Sequence, residues 1–172
     1  MTENLLIQNT ILTDRLILEK LNLDDSDFIK SLVNTKGWIE NIGDRNIHSG
    51  NDAIVYINKI LGTEDLLYWV VKIKDAKVPI GIISFMKRSY LDNFDIGFAF
   101  LPFYNNNGYA YEASKAVLSI VSKLPEYKIV LATTKSSNNS SIRLLTKLGF
   151  RFEKELEIET EKLHVYTNMT LT

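Results

Sequence analysis

A chain of 172 residues, 45% apolar and 24% charged, suits one domain, since a chain of about 150 residues buries roughly 70% of its surface on folding. The net charge of −1 gives no electrostatic reason to expect a nucleic-acid partner. With no cysteine, a thiol nucleophile, a disulfide framework and a cysteine metal site are excluded, so any acyl transfer must use another nucleophile or proceed directly.

His48 and His164 stand far apart, so no metal centre is expected. Met1 to Asp14 lacks the basic-then-apolar pattern of a signal peptide. No segment approaches the ~20 apolar residues of a membrane span. The expectation is a cytoplasmic protein with no membrane partner and one domain over residues 1–172.

In chain order, Arg15 to Lys20 reads as a first strand. Asp24 and Asp25 should cap a helix through about Val33, with Phe28 and Leu32 inward. Asn34 to Gly50 is polar and longer than a usual connection, which leaves either a short buried helix or a functional loop. Asn51 and Asp52 should cap a further helix with Ile54, Ile57 and Leu61 on one face. Leu66 to Lys74 and Val78 to Lys87 read as strands joined at Asp75-Ala76-Lys77, and Phe94 to Leu101 as a third with period-two alternation. A helix follows Gly108, with Ala113, Ala116, Val117 and Ile120 at helical spacing. Lys128 to Thr133 is a short strand, and Ser137 to Leu148 a helix stopped by Gly149. From Phe150 the chain alternates through a terminal hairpin turning near Thr160-Glu161 and continuing through Met169 and Leu171. This order predicts an α/β domain with a mostly antiparallel sheet and one crossover helix.

The most informative segment is Asn105-Asn106-Asn107-Gly108-Tyr109-Ala110-Tyr111, between a strand and a helix. Asparagine and glycine allow backbone conformations that bulkier residues resist. A strand turning through them into a helix presents unpaired N–H groups and the positive end of a dipole, which is phosphate-binding geometry. On the preceding strand, Phe94, Ile96, Phe98 and Phe100 should face a core. Asp95, Gly97 and Ala99 should form a stripped, open face with room for a slender ligand; glycine relieving helix crowding is the equal alternative. Asn138, Ser141 and Leu145 share a face of the next helix. Asn138 reads as an N-cap and Ser141 as a first-turn polar residue, yet both enrich a second helix N-terminus in polar groups.

Asn105 to Ala110 with Tyr111-Glu112-Ala113 resembles the acetyl-CoA-binding segment of the GCN5-related N-acetyltransferases, whose pattern is Gln/Arg-x-x-Gly-x-Gly/Ala. Asn138-x-x-Ser141-x-x-Leu144-Leu145-x-Lys147-Leu148-Gly149-Phe150 is similar to the segment that follows in that family. Thr13 to Leu18, with Asp24-Asp25 shortly after, resembles the RimJ/RimL-like branch, which acetylates N-termini of ribosomal proteins. The resemblance runs from about residue 12 to 171. It implies a mixed, mostly antiparallel sheet of about six to seven strands flanked by about four helices.

The resemblance further implies direct transfer of acetyl from acetyl-CoA, as co-substrate without a metal, to a peptide N-terminus or small amine. Asn105, Asn106, Asn107, Gly108, Tyr109 and Ala110 would hold the cofactor's phosphates, with Asn138 and Ser141 contributing from the next helix. The backbone of Phe98, Ala99 and Phe100 would line the thioester and supply an oxyanion donor. Asp95 stands where relatives carry a strand glutamate and is the candidate base, directly or through a water. Leu145 occupies the place of a tyrosine acid, leaving Ser141 as candidate to protonate the thiolate. Asn105, shorter than the usual Gln or Arg, shifts weight to backbone donors. Trp38, Arg45 and His48 belong to the segment that walls the acceptor; they read as a core anchor, a surface arginine with an option on an acidic acceptor, and a loop histidine. Glu112 reads as a helix-dipole complement. The competing class is a non-catalytic acyl-CoA sensor, and a homodimer through the terminal hairpin stays open. A P-loop enzyme lacks its Gly-Lys-Ser/Thr pattern here.

Overall fold

The computed structural model describes residues 10–168. Eight strands among them form one sheet in the order β1-β2-β3-β4-β5-β6-β8-β7. The first half comprises β1 (Thr10–Leu12), β2 (Leu16–Lys20), β3 (Leu66–Ile73), β4 (Pro79–Met86) and β5 (Asp95–Phe100). These pair antiparallel throughout. The second half, β6 (Leu131–Lys135), β7 (Arg151–Ile158) and β8 (Glu161–Thr167), is also antiparallel. Between the halves, β5 and β6 run parallel, joined across helix α4 (Tyr109–Val121).

One face carries α1 (Ser26–Val33), α2 (Lys36–Asn41) and α3 (Gly50–Leu61), while α4 and α5 (Asn139–Lys147) contribute to the other. Each face has its own core. Leu16, Leu18, Trp69, Ile83, Phe85 and Ile96 pack with Ala113, Val117 and Val121 of α4. Val70 and Ile82 pack with Phe28, Leu32, Trp38 and Ile57 on the opposite face. The alternation expected for β5 holds for the core side: Ile96 is buried, and Phe94, Phe98 and Phe100 pack against the α4 core, whereas Ala99 packs against the α1–α3 core.

The chain exceeds the expected tally by one strand and one helix. β1 has three residues with only Ile11 buried, too little for a periodic signal. α2, Lys-Gly-Trp-Ile-Glu-Asn, carries a glycine and one buried residue, Trp38; it realises the short-helix alternative for the 34–50 segment. Two caps and one turn differ from expectation. A capping box between Asn22 and Asp25 opens a one-turn 3-10 segment ahead of α1. Ser49 and Asp52 form the box of α3, which puts the N-cap two residues earlier than Asn51. The helix buries Ala53, Ile57 and Ile60 and leaves Ile54 and Leu61 exposed. The last hairpin turns at Glu159-Thr160, with Glu159 in the left-handed region (φ +56°). Met169 and Leu171, placed in that hairpin from sequence, lie outside the described residues.

Candidate active site

The loop ahead of α4 is shaped by two left-handed residues, Asn106 at φ +62° and Gly108 at φ +79°. Gly108 is the N-cap of α4 and, having no side chain, supplies no capping oxygen. The Glu112 N–H donates to Gly108 O at 3.0 Å, the first bond of the helix. The amides of Tyr109, Ala110 and Tyr111 precede it and have no acceptor within the helix. With the dipole behind them, these amides could hold an anion.

The turn between β1 and β2 holds this loop in place. Glu112 accepts from the Thr13 hydroxyl at 2.6 Å, from the Arg15 N–H at 2.9 Å and from Arg15 Nε at 2.7 Å. Arg15 Nη1 donates to Asn107 O at 3.0 Å, and its guanidinium lies 4.5 Å from the centre of the Tyr109 ring. Glu112 is therefore the hub of a clamp across about a hundred residues of sequence, more than the dipole complement expected. Burial works against its charge, but the bonds from Thr13 and Arg15 and the charge of Arg15 hold its carboxyl below the ordinary range.

Between β5 and β6 the sheet opens. Their ladder consists of one Cα pair, Asp95 with Leu131. The Phe94 carbonyl accepts from the Leu131 N–H at 2.9 Å on the β6 side, whereas the Leu101 N–H donates to Ile80 O of β4 at 2.8 Å. Backbone groups alternate sides along a strand. The N–H groups of Phe98 and Phe100 therefore point into the gap.

Asp95 sits at the closed end of this gap, and there the structure corrects the expectation of an open face. It is 1% exposed. Arg88 Nε lies 3.0 Å from one carboxylate oxygen and 2.9 Å from the other. Burial raises the carboxyl above the ordinary aspartate range, opposed by the Arg88 charge and hydrogen bonds from Arg88 and Thr133. The stripped face is closed at this point because a carboxylate so deep needs a counter-charge, which the chain supplies from just past β4.

On α5, Asn138 is the N-cap, its side chain accepting from the Ser141 N–H at 3.2 Å. Ser141 is half-buried, and Leu145, 1% exposed, joins the α4 core. A cavity of about 820 Å³ runs from the N-termini of α4 and α5 past β5 to α2 and β3. All the sequence-predicted site residues except Asn107 line it. The volume lies within the usual 300–1,000 Å³ of ligand sites. Sequence reasoning missed Thr13, Arg15, Arg88, Arg143 and Lys147; the last two are basic residues of α5 on the cavity wall. Trp38 is a core anchor as expected, and His48 is exposed. Among the described residues no group of three or more potential metal ligands gathers.

Comparison with known proteins agrees with this geometry. Residues 15–151 match the family described as the acetyltransferase (GNAT) domain. The chain belongs to the GNAT acetyltransferase family. An uncharacterized N-acetyltransferase of Bacillus subtilis, YnaD, is 29% identical over 143 residues, 83% of each chain. A GNAT-family acetyltransferase of Bacillus anthracis superposes with a TM-score of 0.76 at 26% identity, covering 92% of this chain and 96% of that one. The microcin C7 self-immunity acetyltransferase MccE, solved with acetyl-CoA and AMP, shares the fold at 17% identity, with a TM-score of 0.77 and coverage of 90% and 92%.

Proposed function

We propose that this protein is an N-acetyltransferase of the RimJ/RimL-like branch that moves the acetyl group of acetyl-CoA directly to a primary amine. The observation that carries the proposal is the single-pair ladder between β5 and β6, opening beside the uncapped N-terminus of α4. In this reading the diphosphate sits on the amides of Tyr109 to Tyr111, with Asn105, Asn106 and Asn107 shaping the loop. Asn138 and the basic α5 residues Arg143 and Lys147 flank the remaining phosphate. The pantetheine arm lies in the gap along Phe98, Ala99 and Phe100, and the acetyl group is directed toward the α2 side.

The amine nitrogen attacks the thioester carbon, forming the C–N bond and placing negative charge on oxygen. The N–H of Phe98 or Phe100 stabilises that charge; one such donor is worth about 10²–10³ in rate. Collapse breaks the C–S bond, and the electron pair leaves on sulfur. The nitrogen proton passes to Asp95 through a water, since the carboxylate is deep and its proton affinity is raised by burial. Ser141 relays a solvent proton to the thiolate, accepting one from water as it gives up its own, a modest task for a leaving group with pKa ~8.5.

The test is thiol release from acetyl-CoA against a panel of amines and peptides, beside thermal-shift titrations with acetyl-CoA and ATP. Acetyl-CoA at 100 times its dissociation constant should stabilise by about 2.7 kcal/mol. Binding without turnover on any amine would replace the enzyme reading with an acyl-CoA sensor.

A further inference from the structure

The acceptor end of the cavity is walled by Trp38 of α2, Arg45 of the segment after it, Tyr56 of α3, Tyr68 of β3, and Arg88. Its charge is one-sided. Asp95 is the acidic residue of the lining, and it is committed to Arg88. The carboxylates nearest in sequence, Glu40, Asp44 and Asp52, do not line the cavity; Asp44 accepts from the Asn46 N–H at 2.8 Å and Asp52 closes the α3 capping box. Arg45 is exposed at the cavity mouth and has no ion-pair partner among the described residues.

The polar groups here are also under-satisfied. The Trp38 indole N–H and the Tyr68 hydroxyl are buried without a hydrogen-bond partner, although Trp38 is 95% buried. A buried donor without an acceptor costs about 1–3 kcal/mol, so such groups are rarely left idle. Burial pushes the Tyr68 phenol well up; Tyr56 adds to this and Arg45 opposes it, which places the guanidinium within electrostatic reach of the hydroxyl. The indole N–H and the guanidinium only donate, while the phenol can donate as well as accept. A lining whose one carboxylate is already paired, and whose unpaired cation at this end is Arg45, disfavours a polycation and suits an anion.

We infer that the acceptor is a primary amine bearing a carboxylate a few bonds from its nitrogen, with Arg45 engaging the carboxylate at the cavity mouth. This rests on the N-acetyltransferase reading above. Two sources share that chemistry, a free amino acid and a peptide N-terminus followed by an acidic residue. A polyamine is disfavoured because its second ammonium finds no counter-charge.

The test measures thiol release from acetyl-CoA for α-amino acids, each set against its decarboxylated amine and its carboxamide. Peptides with Glu or Gln at the second position and spermidine complete the panel. At least one carboxylate-bearing acceptor should exceed its neutral counterpart by ten-fold or more in kcat/KM, and which arm contains it identifies the source. Arg45→Gln, an exposed change, should raise KM for that acceptor at least ten-fold and bring it level with its neutral partner. Equal or faster turnover of the neutral amines or spermidine overturns the inference while leaving an N-acetyltransferase. So does a preference that survives in Arg45→Gln. Acetyl-CoA binding with no amine acetylated removes both readings.

Discussion

Replacing Asp95 tests two roles that one residue could hold. Its carboxylate is 1% exposed and meets Arg88 Nε at 2.9 and 3.0 Å. Removing one member of a buried pair costs about 3–5 kcal/mol, because the other charge is left uncompensated. The Arg88 side chain keeps 31% of its surface in solvent, which places the cost at the lower end, about 3 kcal/mol. For a domain of this size that is a fall in Tm of about 6–12 °C. Asp95→Asn should show this loss in urea and thermal melts, and Arg88→Met should restore much of it in the double variant by removing the orphaned cation. Turnover separates the roles. If Asp95 takes the amine proton, the double variant stays down by about 10²-fold or more although it is folded and binds acetyl-CoA. A coupling energy in the double-mutant cycle below about 0.5 kcal/mol would refute the ion-pair argument. Turnover returning with stability would refute the base.

Glu112→Ala removes the acceptor of three hydrogen bonds and should cost about 2 kcal/mol while raising KM for acetyl-CoA about ten-fold, read by urea titration and initial rates. The same carboxylate sets a pH dependence. Its folded pKa lies below its unfolded value, so its contribution is present above about 4.5 and lost as pH falls through the folded value. Glu112→Gln should therefore flatten the acid loss of stability below pH ~4.5, and an unchanged slope would remove the clamp from the account. Gly108→Ala forces an alanine to φ +79° with its Cβ 3.4 Å from Arg15 Nη2. It should destabilise by about 1 kcal/mol or more and weaken acetyl-CoA binding, measured by calorimetry. Ser141→Ala should lower kcat about ten-fold or less, with KM for acetyl-CoA nearly unchanged, since the thiolate needs little help; a loss near 10³ would give the serine a larger part.

The elements that announced themselves in the sequence are those with a long period or a turn residue under steric demand. β3, β4, α4 and Gly149 (φ +90°) are legible for that reason. The turn ahead of α4 was legible too, because Asn106 and Gly108 occupy left-handed positions that few other residues accept. What stayed hidden depends on contacts between distant segments. Nothing in the local pattern of Thr13 and Arg15 says that they reach Glu112, and Arg88 reads as an ordinary loop cation until the fold sets it against Asp95. Helix phase failed for α3 because Ser49 and Asn51 are both good caps. The Ser49 N–H donating back to Asp52 selects Ser49, while packing against the sheet buries Ala53, Ile57 and Ile60 and leaves Ile54 and Leu61 exposed.

Topology accounts for where the site falls. The two antiparallel halves meet here through a parallel pair, and a parallel pair needs a crossover. That crossover is α4, which must begin beyond the carboxyl end of β5; α5 begins in the same way beyond β6. Both helix N-termini therefore gather at the ends of the two strands that are least bound to each other, since their ladder stops after one Cα pair. The backbone donors freed on β5 and the amides freed on α4 arise from one topological event, the switch point at which open α/β sheets take ligands. Changes at the phosphate loop and along the gap should consequently act as a unit. Gly108→Ala should therefore raise KM for acetyl-CoA and lower kcat together, because a loosened phosphate grip also misaims the thioester; a rise in KM with kcat unchanged would mean that the arm does not lie in the β5–β6 gap.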